Sequence, residues 1–250
     1  VTLGGVVMMR CDMGLESVHG VVVMVGCDLS QLPNGQGLML DDDNDAVRIT
    51  GEHESARPSI IDCCRLSMGE DDGIDQDNAK LQVSHTRIEG FVNEGIAASG
   101  GGYVSVREVV ISGCAQGLEV GYGGPVVHAD SLLLLHNAVG IRYGCDYPTG
   151  HRGVLRLTRA VAVNNSDSDY VNAFPEAPHT RPWKVSMECS LVGAAQALLA
   201  LEQWARCGGC GGAGAAWSAA VRGDHHACPH AAPTVRAGHG GVGLGKGRRS

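Results

Sequence analysis

Bulky rings are scarce in this chain: two Phe, five Tyr and three Trp stand among 250 residues. Sandwiches and barrels anchored on buried aromatics are therefore poor fits. No uninterrupted apolar run is long enough to span a bilayer. The ~3.6-residue period of amphipathic helices is missing before about residue 193, which argues against a helical bundle. Net positive charge is missing too. The formal charge is −8, and a surface without a basic stripe excludes nucleic acid as the main partner. The chain has no initiator Met and no secretory leader; it opens inside what reads as a repeat (Val6, Val7, Met8, Met9). That predicts an N-terminally truncated sequence whose targeting is not readable.

What is abundant is glycine, 37 residues, together with Val, Leu, Ile and Ala. Turn-rich chains with uniform small aliphatics favour a regular β architecture. Gly followed by Leu or Ile recurs at Gly14-Leu15, Gly37-Leu38, Gly73-Ile74, Gly95-Ile96, Gly117-Leu118 and Gly140-Ile141, mostly 22 or 23 residues apart. Two further columns run in step: Leu66, Ile88, Ile111 and Ile61, Val83, Val106. Three aliphatic columns at one period predict three strands per coil. A coil of this length buries its apolar side only against the next coil, stacked ~4.8 Å away. Alternation then turns Gln82, Ser84, Arg87 and Glu89 outward around Val83 and Ile88. The glycine before each Ile is expected to supply a turn conformation that other residues resist. The fold expected over residues 1–190 is thus an all-β, right-handed parallel β-helix solenoid.

The interval from Gly37 to Gly73 is longer than the others, which places an insertion near residues 41–58. Residues 41–77 also hold twelve Asp or Glu against Arg48, Arg57 and Arg65. Residues 191–206 have helical propensity with Leu198, Leu201 and Trp204 on one face, and are expected to cap the open end of the stack. Residues 207–250, rich in Gly, Ala and His, read as a low-complexity, disordered tail. The ten cysteines are irregularly spaced; Cys63 and Cys114 fall at expected interior positions, which predicts buried, reduced thiols.

Four words carry a family resemblance: EDDGIDQDNA (70–79), NEGIAASGG (93–101), CAQGLEVGYGGP (114–125) and AVGIRYG (138–144). The segment from Glu70 to Arg142 resembles the right-handed β-helix repeats of the pectin-lyase-like superfamily. It is closest in look to modules that accompany CotH-like or lamin-tail domains in surface proteins. The resemblance implies a fold; the superfamily holds lyases, hydrolases, epimerases and inert stalks. Asp72-Gly73-Ile74-Asp75 also matches part of the Asn-Thr-Asp-Gly-Ile-Asp word of polygalacturonases, which implies Asp72 and Asp75 as a catalytic pair. The next coil offers Asn93-Glu94 where that family has a second Asp pair. Gly238-His239-Gly240 lies in the tail, away from the coil where that family carries its Gly-His-Gly.

The residues themselves point to several chemistries. Inverting hydrolysis needs one carboxylic acid and one carboxylate base, and the Asp71, Asp72, Asp75, Asp77 coil supplies both; a solvated turn ladder accounts for the same residues. Asp41, Asp43 and Asp45, with Asp71 and Asp77 on the next coil, are the candidate calcium ligands, because hard oxygen donors at this density suit that ion. An EF-hand is excluded by Ala46 at the position that requires glycine. Cys207, Cys210, Cys228 and His230 have a zinc-like outline without aliphatic residues to build around it. Glu94, Glu119, Tyr122, Arg142, Tyr143 and Asp146 are expected on one outward face, where carboxylates, a guanidinium and rings suit a sugar chain. Asn164-Asn165-Ser166 is a glycosylation sequon. The function expected is a non-catalytic, extracellular or surface-associated module that binds polysaccharide or surface glycan. The alternatives are a polysaccharide lyase or glycoside hydrolase around Asp72 and Asp75, and a purely structural spacer in a longer protein.

Overall fold

The computed structural model describes residues 1–32, 44–51, 57–144 and 152–173, and the strand backbones 185–188 and 191–192. Within them the protein is all-β, and every strand pairing is parallel. The strands fall into a 14-stranded and a 7-stranded sheet that follow three ladders through the stack. The first ladder takes Thr2–Gly4, Val23–Val25, Ser59–Asp62, Lys80–Ser84, the front halves of Tyr103–Ser112 and Val126–Leu135, then Val154–Thr158 and Val185–Glu188. The second takes Val7–Met9, Asp28–Leu32, Arg65–Gly69, Arg87–Phe91, the back halves of the same two long strands, Val161–Val163 and Leu191–Val192. The third takes Leu15–Val18, Val47–Thr50, Ile74–Asp77, Glu94–Ser99, Gln116–Val120, Val139–Tyr143 and Ser168–Asn172.

Each ladder puts like on like at the axis. Leu29, Leu66, Ile88, Ile111, Leu134 and Ala162 are successive Cα partners, as are Met24, Ile61, Val83, Val106, Ala129 and Leu157. The third column runs Leu15, Val47, Ile74, Ile96, Leu118, Ile141, Tyr170. All but Leu15 and Tyr170 are buried, and together they form one core. Parallel strands closed on themselves in this way bury one face and leave the other to polar residues.

Three expectations change. The third-ladder place between Leu15 and Ile74 belongs to Val47, so Gly37-Leu38 is not a member of that column. The true member follows Ala46 and lacks the glycine mark, and extra chain on both sides hides the period. The insertion expected over 41–58 is accordingly interrupted by the strand Val47–Thr50, while residues 33–43 and 52–56 lie outside the described residues. Stacking also passes residue 190, because Leu191–Val192 pairs with Val161–Ala162. The capping helix and the tail, from residue 193 on, lie outside the described residues.

The glycines before the third-ladder aliphatics serve a different purpose from the one expected. Gly95 and Gly117 do not adopt positive φ; what they lack is room. A Cβ on Gly95 would stand 2.2 Å from Ile111 Cγ2 and 2.8 Å from the Gly117 carbonyl. Left-handed backbone is used elsewhere, at the corner between the first and second ladders. There Cys63, His85, Glu108, Ser131 and Arg159 stack with φ between 47° and 58°. Repetition of the corner from coil to coil holds non-glycine residues in a conformation each would avoid alone.

Cys63 is therefore a corner residue and not an interior one, and it is disulfide-bonded. The buried position belongs to its neighbour Cys64, which with Cys27 and Cys114 is a free, buried thiol. The expectation of reduced cysteine holds for Cys114 and fails for Cys63, because the register is one residue off at that corner.

Ile96→Asp should abolish cooperative unfolding, since an unpaired charge would enter the aliphatic column at a cost of several kcal/mol; an unchanged melting temperature would reject the register. Gly95→Ala should lower stability by about 1–3 kcal/mol through overpacking alone, measured by urea denaturation.

Candidate functional site

The turn that leads into the third ladder carries acidic or amide side chains at one register position on four consecutive coils: Asp45, Asp72, Glu94 and Gln116. These are not surface groups. Asp45 is 1 % exposed, and Asp72 and Glu94 are each 8 % exposed. Polar groups at such depth must find partners, and the partner is in each case one coil away. The Asp72 N–H donates to Asp45 Oδ1 at 3.1 Å. The Glu94 N–H donates to Asp72 Oδ1 at 2.8 Å, and Gln116 Nε2 donates to Glu94 Oε1. Beside this column, Asn93 Nδ2 donates to Asp71 Oδ1 at 2.5 Å.

Burial, reinforced by the Asp75 and Asp71 carboxylates, pushes the Asp45 carboxyl up to about 8. Burial also raises Asp72 far above the usual carboxylate range, helped by its side-chain hydrogen bond to Glu94. Both groups are thus neutral acids at pH 7, and the column is stabilised by protons that it would lose only in alkaline solution. A protonated carboxyl is both donor and acceptor, which is what stacking acid on acid requires.

The same turn brings oxygen atoms of Asp45, Asp71 and Asp72 within 4.8 Å of one another. Three of the expected ligand and catalytic residues therefore converge. Asp77 ends its strand with its carboxylate against Gly100 at the next corner and is not in the group. Asp41, Asp43 and Asp146 lie outside the described residues.

Asp75 is separated from Asp72 by orientation. It faces out from the third ladder and pairs with Arg48 Nε at 3.6 Å. The register sets Glu16, Arg48, Asp75, Ala97, Glu119 and Arg142 in one outward line, with charge alternating along most of it. The expected sugar face is divided accordingly. Glu119 and Arg142 are neighbours on this line, Glu94 is buried in the carboxylate column, and Tyr122 sits at the corner beyond, its carbonyl accepting the Gly100 N–H at 2.9 Å. Tyr143 leaves the face altogether; it is 1 % exposed and its hydroxyl donates to the Gly153 carbonyl at 2.7 Å. One residue of offset between turn and strand separates groups that look equivalent in the sequence.

A second cluster escapes pattern reading. At the corner of the first ladder, Asp62 Oδ1 accepts from Ser84 Oγ and meets His85 Nδ1, both at 2.7 Å. His85 Nε2 faces Glu108 Oε2 at 3.5 Å, and Arg107 pairs with the same Glu108. Hydrogen bonding to Asp62 leads the causes that raise the His85 pKa above its usual value. The Ser84 hydroxyl is bound to the carboxylate and not to the imidazole, so no nucleophile–base pair forms. The cluster was legible in principle: Asp62 and Ser84 occupy one column at the repeat distance. It requires the corner register, which the aliphatic columns do not reveal.

No family profile, no curated protein and no solved structure matches this chain. Among the described residues, no helix is long and apolar enough to cross a membrane.

The two titrations have the same sign. Folded Asp45 binds its proton up to about pH 8, while its unfolded counterpart releases it near 3.8. The stabilisation is complete below the lower value and is lost as pH rises through the upper one. His85, with its pKa raised from 6.5, behaves likewise from 6.5 upward. Thermal stability should therefore fall between pH 5 and 8. Asp45→Asn and His85→Gln should each flatten part of that slope, and unchanged slopes in both variants would show that these groups are not protonated in the folded state.

Proposed function

We propose that this chain is a right-handed parallel β-helix of the pectin-lyase-like kind, used outside the cell or at its surface as a non-catalytic module that binds carbohydrate. The handedness rests on the strong preference of parallel crossover connections. The observation that carries the binding reading is the outward line Arg48, Asp75, Glu119, Arg142. It sets cationic and anionic hydrogen-bonding groups along one sheet face, with Glu119 and Arg142 on adjacent coils. Strands in such a ladder lie ~4.8 Å apart, a spacing on the scale of one sugar ring. A chain of sugars laid along the stack would meet a new polar group at most coils, and guanidinium groups hold uronate carboxylates in two-point contacts.

The hydrolase and lyase alternatives lose support from the placement of their acids. Asp72, the candidate acid, is 8 % exposed and engaged by the Glu94 N–H, whereas a general acid must reach the glycosidic oxygen. Calcium enters this proposal through the Asp45, Asp71, Asp72 group, where the ion would displace the protons described above. The Arg48–Asp75 pair favours a second reading, a spacer whose surface charges satisfy one another.

The deciding experiment is a screen of the purified chain against plant, algal and bacterial polysaccharides, with calcium and with chelator, recording binding and the release of reducing or unsaturated ends. Binding without release is expected, weakened about tenfold by Arg142→Ala, or roughly 1.4 kcal/mol. Release that Asp72→Asn abolishes would make the protein an enzyme, and absence of both would leave the spacer.

A further inference from the structure

Each second-ladder strand is preceded by one inward residue, set just after the corner that separates it from the first ladder. In step with the partners Val7, Asp28, Arg65, Arg87, Val110 and Leu133, this column runs Val6, Cys27, Cys64, Thr86, Val109 and Leu132. Two free thiols thus stand on consecutive coils, 2 % and 1 % exposed. The Arg65 N–H donates to the Cys27 carbonyl at 2.8 Å, which fixes the two residues one ladder step apart. That step, ~4.8 Å between backbones, falls within the ~4.4–6.8 Å Cα separation that a disulfide spans. Their outward neighbours Asp28 and Arg65 pair with each other, so both sulfurs turn to the axis. The buried Cys114 meets Asn137 on the next coil instead of a second thiol, with its N–H bonded to Asn137 Oδ1 at 3.0 Å. Burial pushes the Cys114 thiol up to about 11. The early pair differs: a hydrogen bond from the Cys64 side chain pulls Cys27 down to about 6 against the effect of burial, and the same bond raises Cys64. Cys27 is thus the thiolate of the pair and Cys64 keeps the proton. The corner beside Cys27 is Gly26, where an added side chain would meet open space, so only backbone stands between that corner and solvent.

We propose that Cys27 and Cys64 form a peroxide-responsive modification site, closed by a disulfide that staples two adjacent coils. The Cys27 thiolate attacks one oxygen of hydrogen peroxide; the O–O bond breaks, hydroxide leaves and Cys27 becomes a sulfenic acid. The Cys64 sulfur then displaces the sulfenic hydroxyl, which departs as water with the Cys64 proton as the S–S bond forms. Two electrons have passed from the sulfurs to the peroxide. A dithiol such as dithiothreitol reverses the step: it returns both thiols and is itself oxidised to a disulfide. Stacking already brings the two residues to bonding separation, so closure needs no exchange of strand partners. The burial of both sulfurs favours a small oxidant over a bulky disulfide reagent. The new bond restrains the unfolded chain, so the oxidised protein is the more stable form.

The test treats the full chain with dithiothreitol, removes it, adds hydrogen peroxide, quenches with catalase and alkylates in urea with iodoacetamide. Peptide mass mapping after trypsin is expected to find residues 11–48 joined to residues 49–65, with Cys114 still alkylated. The link should persist in Cys63→Ser, which removes the neighbouring disulfide, and vanish in Cys27→Val and in Cys64→Val. Valine already occupies this column at Val109, so both variants should keep the fold; unchanged far-ultraviolet circular dichroism checks it. In the Cys63→Ser chain, peroxide should raise the melting temperature by about 5–10 °C, and dithiothreitol should return it. Cys27 and Cys64 both alkylated after peroxide overturn the proposal, as does a Cys27 sulfinic acid without a link, or a link that survives Cys64→Val. A link that leaves the melting temperature unmoved overturns the staple.

Discussion

A coil of this protein can satisfy its backbone only through the coils above and below it. Along the three ladders the strand backbones pair with strands about one repeat away in sequence, so a residue's neighbour across the ladder is its equivalent in the next turn. Like must therefore tolerate like. Aliphatic on aliphatic gives the core, glycine beneath glycine allows the turn of one coil to lie within van der Waals reach of the next, and a polar side chain that points inward finds a partner only if the next coil offers one.

The carboxylate column is the least expected outcome of that rule. Asp45, Asp72 and Glu94 would repel one another if ionised, and burial makes ionisation costly in any case. Asp45 and Asp72 retain protons and accept the backbone N–H groups of the next turn, while Glu94 accepts from the Gln116 side-chain amide. At the opposite corner, His85 is lodged between Asp62 and Glu108, and a protonated imidazole there joins three coils. Both arrangements are stabilised by protons, and both lie where a left-handed or tightly packed turn leaves little freedom for another side chain. Charged groups that need no proton are found instead on the outward lines, such as Arg48 with Asp75 and Arg65 with Glu89.

Much of the architecture was legible because the period is long and the aliphatic columns are strict. Ile61, Val83 and Val106 sit in register as read, and so do Leu66, Ile88 and Ile111. The reading failed where the column mark changed: Ala46-Val47 has no glycine, and Gly37-Leu38 imitates the pattern without occupying the place. For the site, the residue types were found but not their depth. Asp72 and Asp75 are two positions either side of an inward Gly-Ile step, and that step sends one carboxyl into the stack and the other to its surface. Cys63 illustrates the same sensitivity, since one residue separates it from the buried Cys64.

By itself the amino-acid sequence determined the all-β class, the three strands of each coil and the axial residues of the regular coils, such as Ile61, Val83 and Val106, because apolar periodicity is a one-dimensional property that stacking repeats unchanged. Only the tertiary structure decided which acids are buried, that Gly95 serves close approach and not turn conformation, and that the Asp62, His85, Glu108 cluster exists. Those outcomes depend on the offset of each corner relative to the strands beside it. The offset is set by contacts between coils, with Ile111 against Gly95 as an instance, and no local stretch of sequence contains both partners.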